Sequence, residues 1–392
     1  MNADGGPARP DRTRSDRARA WLEIMRISNL PTVVSNAIAG AAVGTVAHVV
    51  EDPPGFVTWI GQIVYRFDAA APSIGLVLAL LAAPPLAYLG GMVLNDAFDA
   101  SVDARERPAR PIPSGRIARM HAFAVGFLLL GAAIAASAAA DVVPFLATLL
   151  LCAAIVVYDR FHTKSVASTL LLALCRALAS LIPMLGCADG DLMMLARRGA
   201  LVLPLALAAW TLGLSLVARS EMWFIARRAH ARTAPTPCPK CGQLMHRDAA
   251  TCAECGRASE HEWRRESAEL RWHGVVGMLA GIPAAGALLV FLSLLHGFTT
   301  VMRDGRPATN PIETLPVLGA GLAAVCIVVA TRAHSRMRRD PTRIPSTIGT
   351  WIACLALIDA MAVAIAGSWA IAACCTVLFA LTLRLQRRIA GS

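Results

Sequence analysis

NDAFDASVDARERPARPIPSGR, residues 95–116, follows directly on the apolar run GLVLALLAAPPLAYLGGMVL. Asp96, Asp99 and Asp103 stand at i, i+3 and i+7 in it. At about 100° per residue a helix carries all three on one face. Three carboxylates on one face repel one another unless something positive sits among them, and a divalent cation is the usual answer. Mg²⁺ held by carboxylates keeps positions open for substrate phosphates. Arg107, Arg110 and Arg116 come next, and the guanidinium fork matches phosphate oxygens. Prolines and Pro113-Ser114-Gly115 stiffen the loop that carries them. Metal-binding acids and arginines at the end of a greasy helix point to a phosphorylated substrate with an apolar tail. A charged loop obeying the positive-inside rule would explain the arginines but not the in-phase aspartates.

The rest of the chain is a membrane protein by composition. Of 392 residues, 56% are hydrophobic and 16% charged, with a mean hydropathy of +0.56. Soluble domains carry about 25% charged residues. Ten apolar blocks are long enough to span a bilayer: 31–50, 74–95, 119–139, 142–158, 168–187, 200–218, 273–296, 315–331, 347–366 and 368–385. Only Gly-Ser-Trp parts the last two, so nine is the other count. The fold class is all-α, a polytopic membrane helical bundle of nine to ten transmembrane helices. Alanine, glycine and leucine dominate these blocks and suit close helix packing in lipid.

Net charge is +11. With the N-terminus in the cytoplasm, the cytoplasmic loops and termini hold 31 Lys and Arg, the opposite loops five, and Arg176 lies inside a span. This asymmetry predicts a multi-pass protein of the inner (cytoplasmic) membrane with both termini cytoplasmic. It also sets nucleic acid aside as a partner, because the basic residues are juxtamembrane. Residues 1–20 are polar and read as a disordered cytoplasmic arm, with no cleavable signal peptide. Seven of the eleven cysteines lie in or at the ends of apolar segments, where they pack as small hydrophobes.

The stretch NDAFDASVDARERPARPIPSGR resembles the first aspartate-rich motif of the UbiA superfamily of intramembrane prenyltransferases, NDxxDxxxD followed by RPxRPIPSG. Asn95, Asp96, Asp99, Asp103, Arg107, Pro108, Arg110 and Pro111 to Gly115 all match. IMRISNLPTVVSNAIAGAAVG looks like the family's first helix, with Asn36 where the family often has a cavity asparagine. The resemblance implies that Asp96, Asp99 and Asp103 hold Mg²⁺, that Asn95, Arg107 and Arg110 contact the donor, and that the donor is a polyprenyl diphosphate. It implies ionisation of the allylic C–O bond and capture of the carbocation by a lipophilic acceptor in a dry cavity.

The chain departs from the family after its sixth span. The family has a second aspartate motif there, often DxxxD; this chain has LVARSEMWFIARRAH. Glu221 either replaces that motif as a metal ligand, with Arg219 on the phosphate, or is an ordinary helix-end acid paired with an arginine. The RSE also resembles the EboC-like subgroup, as do two further segments. In YDRFHTKS, Tyr158, Asp159 and Lys164 lie close enough to the aspartate loop to complete a diphosphate site. In LCRALASLIPMLG, Arg176 sits about 12 Å deep in its span. An ionisable residue at that depth is functional or internally paired. Arg176 either holds an anionic head group or pairs with Asp359 of ALIDAMAV, which is read as structural.

The loop after the sixth span also carries CPKCGQLMHRDAATCAECG. Cys238, Cys241, Cys252 and Cys255 form CxxC-x10-CxxC, with glycine after each pair, as in a zinc ribbon. Four thiolates at this spacing predict a closed, structural Zn²⁺ site; a redox dithiol pair is the weaker alternative. The expected organisation is an arm at 1–20, the first part of the transmembrane domain at 21–228, a cytoplasmic zinc-ribbon insertion at 229–262 and the second part at 263–392. Mg²⁺-dependent prenyl transfer is the leading function. A prenyl-lipid-binding scaffold whose ribbon recruits a protein partner is the alternative. A transporter is weaker, because the halves show no repeat and the spans lack buried charge chains.

Overall fold

The computed structural model describes residues 14–49, 74–161, 166–233, 236–237, 241, 244–245, 254, 315–339, 343–366 and 368–388; for 219–233 it describes the backbone only. Within them the chain is helical apart from one minimal strand pair. The helices are α1 (Arg14–Ile24), α2 (Leu30–Val49), α3 (Ile74–Glu106), α4 (Arg119–Ser137), α5 (Val142–Phe161), α6 (Val166–Gly186), α7 (Leu192–Arg197), α8 (Val202–Thr233), α9 (Leu315–Arg339), α10 (Ile344–Ile365) and α11 (Trp369–Arg388). A 3₁₀ turn, Ile27–Asn29, leads into α2. Strands β1 (Thr236–Pro237) and β2 (Leu244–Met245) pair antiparallel, Thr236 with Met245 and Pro237 with Leu244.

Seven helical segments among the described residues are long and apolar enough to cross a membrane: 27–48, α3, α4, α5, 167–186, α10 and α11. The apolar part of α8, Val202–Leu216, is shorter, and α9 covers the span expected at 315–331. The last two expected spans are separate helices, α10 and α11. The block at 273–296 lies outside the described residues. The chain is a multi-pass integral membrane protein.

Burial sorts the helices by position. In α10, 72% of the span is buried, against 28% in α4 and 17% in α11. Thus α10 runs through the interior, packed on α2, α8, α9 and α11, and α4 and α11 face outward. Their exposed residues, such as Leu128 and Val377, are apolar, as lipid contact requires. Helix α2 lies against α3, α6, α10 and α11. Its approach to α6 depends on Gly40 and Gly44, a GxxxG pair: a Cβ on either would fall on a backbone carbonyl, of Ser180 or Met184.

Two features position the polar end. Helix α3 has 33 residues and so runs about 50 Å, well beyond a hydrocarbon core about 30 Å thick. The excess is the aspartate segment. Against it packs α1, through Ala20 and Ile24, which join Val93, Ala97, Ile112, Ile117 and Ala122 in one apolar cluster. Of the expected disordered arm at 1–20, residues 14–20 are instead helical, because the apolar residues of α1 have a surface to cover, and residues 1–13 lie outside the described residues.

Candidate active site in the helix bundle

The loop after α3 is built by its own sequence. The Arg107 amide donates to the Asp103 carbonyl and the Ser114 amide to the Arg110 carbonyl. Gly115 has φ +68°, a left-handed conformation that glycine reaches without a Cβ penalty. Arg116 is spent on structure: its Nη1 donates to Glu23 of α1 at 2.9 Å and its Nη2 to the Ala109 carbonyl at 2.8 Å.

The three aspartates fall on one helix but not in one environment. Asp96 and Asp103 are buried, and the equally buried Arg110 lies between them, 2.7 Å from Asp103 and 3.6 Å from Asp96. The other cation near Asp96 is Arg26, also at 3.6 Å. Oδ1 of Asp96 is buried and accepts no hydrogen bond among the described residues. Asp99 is only partly buried, with the Asn95 amide 3.4 Å from its Oδ2. Asp159, at the end of α5, is buried and feels the charges of Asp99, Asp96 and Arg26. Among the described residues no three acids, histidines or cysteines are drawn to metal-ligating distance. Hard oxygen donors nonetheless gather here, and Asp96 Oδ1 carries an unsatisfied lone pair. That donor set fits Mg²⁺.

A cavity of about 230 Å³ opens beside this cluster, walled by the 3₁₀ turn and by α2, α3, α5, α6, α8 and α10. Its polar groups include Arg26, Tyr88, Tyr158, Asp159 and Arg176, and its remaining walls are mostly aliphatic. Tyr88 donates to the Arg26 carbonyl at 3.1 Å. Arg26 itself has φ 46°, an uncommon conformation for a residue with a side chain, and it aims the guanidinium at Asp96.

Other expected site residues divide. Tyr158 lines the cavity, and Arg107 is exposed on the loop. Asn36 is fully buried behind the wall, where its Oδ1 accepts from Arg176 Nη1 at 2.8 Å and its Nδ2 donates to Asp359 Oδ2 at 2.7 Å. Arg176 and Asp359 therefore meet through Asn36, not as a direct pair. Lys164, and Cys238, Cys252 and Cys255 of the ribbon, lie outside the described residues, as do the side chains of Arg219 and Glu221; Cys241 is exposed. Arg26 was missed from the sequence, where it passes as one more juxtamembrane arginine.

Residues 55–237 match the UbiA prenyltransferase family. This chain carries a UbiA prenyltransferase domain. The aspartate segment and the helices from α3 to α8 fall inside the UbiA domain, whereas α9 to α11 follow it. Similar curated proteins include the digeranylgeranylglyceryl phosphate synthases of Ignicoccus hospitalis, 33% identical over 119 residues, and Methanopyrus kandleri, 36% identical over 124 residues. Each alignment covers 30% of this chain, and 31% and 35% of the two relatives, so the chain spans about a third of their length. Among solved structures, a UbiA homolog from Archaeoglobus fulgidus bound to GPP and Mg²⁺ aligns over 89% of this chain and all of that one. Its identity is 15% and its TM-score 0.46.

Proposed function

We propose that this protein is an intramembrane prenyltransferase that moves an isoprenyl group from an allylic polyprenyl diphosphate to a lipophilic acceptor. The observation that carries this is the polarity of the cavity. Its aliphatic walls run up to Arg26, Tyr158 and Asp159 beside the aspartate helix, and a prenyl diphosphate has the same profile of hydrocarbon tail and anionic head. The match to the UbiA family and the names of the similar synthases support it.

In this reading Asn95, Asp96 and Asp99 would hold Mg²⁺, with Glu221 added from α8; Asp103, the third ligand that the resemblance implied, takes a positioning role instead because Arg110 stands 2.7 Å from it. When bound, the metal neutralises charge on the diphosphate oxygens. Arg26, Arg107, Arg219 and Lys164 contact the diphosphate, and Tyr158 orients it. Asp103 fixes Arg110 and, through it, the loop. The C1–O bond of the donor breaks and its electron pair leaves with the diphosphate. A nucleophilic atom of the acceptor bonds to C1 and gives up its proton to the departing diphosphate. The aliphatic walls keep water from capturing the cation.

We further propose that Cys238, Cys241, Cys252 and Cys255 bind structural Zn²⁺, a reading supported by their spacing and by the β1–β2 pair that flanks the first CxxC. Both termini are placed in the cytoplasm, in an inner membrane, from the arginine asymmetry. The EboC-like kinship rests on the RSE, YDRFHTKS and LCRALASLIPMLG segments.

The test is Mg²⁺-dependent pyrophosphate release by the protein in nanodiscs, given geranyl, farnesyl or geranylgeranyl diphosphate and a lipid extract. The expected result is release that needs Mg²⁺ and is lost in Asp99→Asn. One observation favours a prenyl-lipid-binding scaffold with a protein partner at the ribbon: a lone Glu221 stands where the family has its second aspartate motif. Donor binding without release under all these conditions would select that reading.

A further inference from the structure

A charged group inside an apolar span needs a counter-charge or a ligand. Arg176 lies on α6 ten residues from its start, about 15 Å from the end of the bundle that carries Asp159 and Asp99. It lines the cavity. Among the described residues it makes no ion pair with a carboxylate. Its side-chain partners there are neutral oxygens: Asn36 Oδ1 at 2.8 Å and Thr32 Oγ1 at 3.4 Å.

Those partners are themselves held. Asp359, fully buried on α10, accepts from Asn36 Nδ2 and from Ser35 Oγ, each at 2.7 Å. Binding the amide nitrogen of Asn36 fixes which way the carboxamide faces: its oxygen must point to Arg176. The Asp359 carboxyl thus acts on the guanidinium through Asn36 and not by contact. Three helices, α2, α6 and α10, are used to hold one cation at the cavity wall with a face left open.

We infer that Arg176 is the anion-binding group of a second subsite, deeper than the diphosphate end, which takes the carboxylate or phosphate head of the acceptor. Asn36 and Asp359 are its positioning residues. This rests on the transferase reading, and it narrows the acceptor from any lipophilic nucleophile to an anionic one. A neutral quinol or a long-chain alcohol would bring the guanidinium no charge partner beyond Asn36, Thr32 and the indirect influence of Asp359, and would be discriminated against.

The experiment measures binding in nanodiscs by calorimetry. The probes are tetradecyl phosphate, tetradecanoate and tetradecanol, with Mg²⁺ and geranyl S-thiolodiphosphate as a separate donor probe. One or both anionic probes should bind, tetradecanol at least ~10-fold more weakly, and the two anions tell phosphate from carboxylate. Loss of one charge-assisted contact predicts about 10- to 100-fold weaker anion binding in Arg176→Gln. Asn36→Asp keeps the guanidinium but sets a carboxylate on it, and should weaken anion binding as much. Arg176→Lys should recover part of it. Donor binding should stay within about 2-fold of wild type in every variant that elutes as a folded monodisperse peak. If tetradecanol binds as well as the anions, or Asn36→Asp leaves anion binding intact, the inference is overturned. If wild type fails to bind the donor probe, the transferase reading fails instead.

Discussion

Replacing Arg110 should cost more stability than replacing Asp103, although they are the two halves of one 2.7 Å pair. The reason is Asp96. Arg110 is 93% buried and stands between two carboxylates that are 97% and 94% buried. Arg110→Met leaves both without it, and breaking a buried pair by removing one partner costs about 3–5 kcal/mol. Asp103→Asn leaves Arg110 with Asp96 at 3.6 Å. Coulomb attraction falls as 1/r, so that contact keeps about three-quarters of the strength of the one lost. Its cost is therefore nearer that of a single charged hydrogen bond, about 1.5–3 kcal/mol. SDS-induced unfolding in mixed micelles, followed by tryptophan fluorescence, measures both. A second reading separates structure from metal binding. Thermal stabilisation by Mg²⁺ with geranyl S-thiolodiphosphate should survive in Asp103→Asn and vanish in Asp99→Asn. An Asp103→Asn protein as stable as wild type that no longer responds to Mg²⁺ would refute the reasoning and put Asp103 among the metal ligands.

Two other outcomes follow from the packing and the cysteine motif. Gly40→Ala should destabilise by about 1–3 kcal/mol, because its Cβ meets the Ser180 carbonyl, and it should weaken Arg176-dependent anion binding by parting α2 from α6. Gly131→Ala, whose Cβ meets nothing within 4 Å, should shift the same unfolding curve by no more than about 0.5 kcal/mol. Purified protein should release one Zn²⁺ per chain to a colorimetric chelator on thiol modification, Cys241→Ser should lower that yield, and pyrophosphate release should persist after zinc loss, since a four-thiolate site leaves no position for substrate.

What could be read without coordinates is what depends on local spacing. Bilayer thickness sets helix length, so the spans are visible as apolar blocks. Helical phase puts Asp96, Asp99 and Asp103 on one face. Gly115 and the prolines mark a tight loop, and it forms where they stand. Even the ambiguous pair at the end of the chain is only a matter of whether Gly-Ser-Trp interrupts a helix, and it does between α10 and α11. Other properties depend on what faces those residues from elsewhere in the chain, and periodicity holds no information on that. Arg110 occupies Asp103 because the loop folds back by seven residues. Arg26 reaches Asp96 because a left-handed residue turns α1 into α2. Asn36 serves Arg176 from behind the wall because Asp359, more than 300 positions away, takes its amide nitrogen. A helix dictates its own faces through backbone geometry, but which charge meets which across a bundle is settled only when the helices pack, and in this protein that packing sets the buried Asp103 and Asp96 around Arg110 and leaves Asp99 partly buried on the same helix.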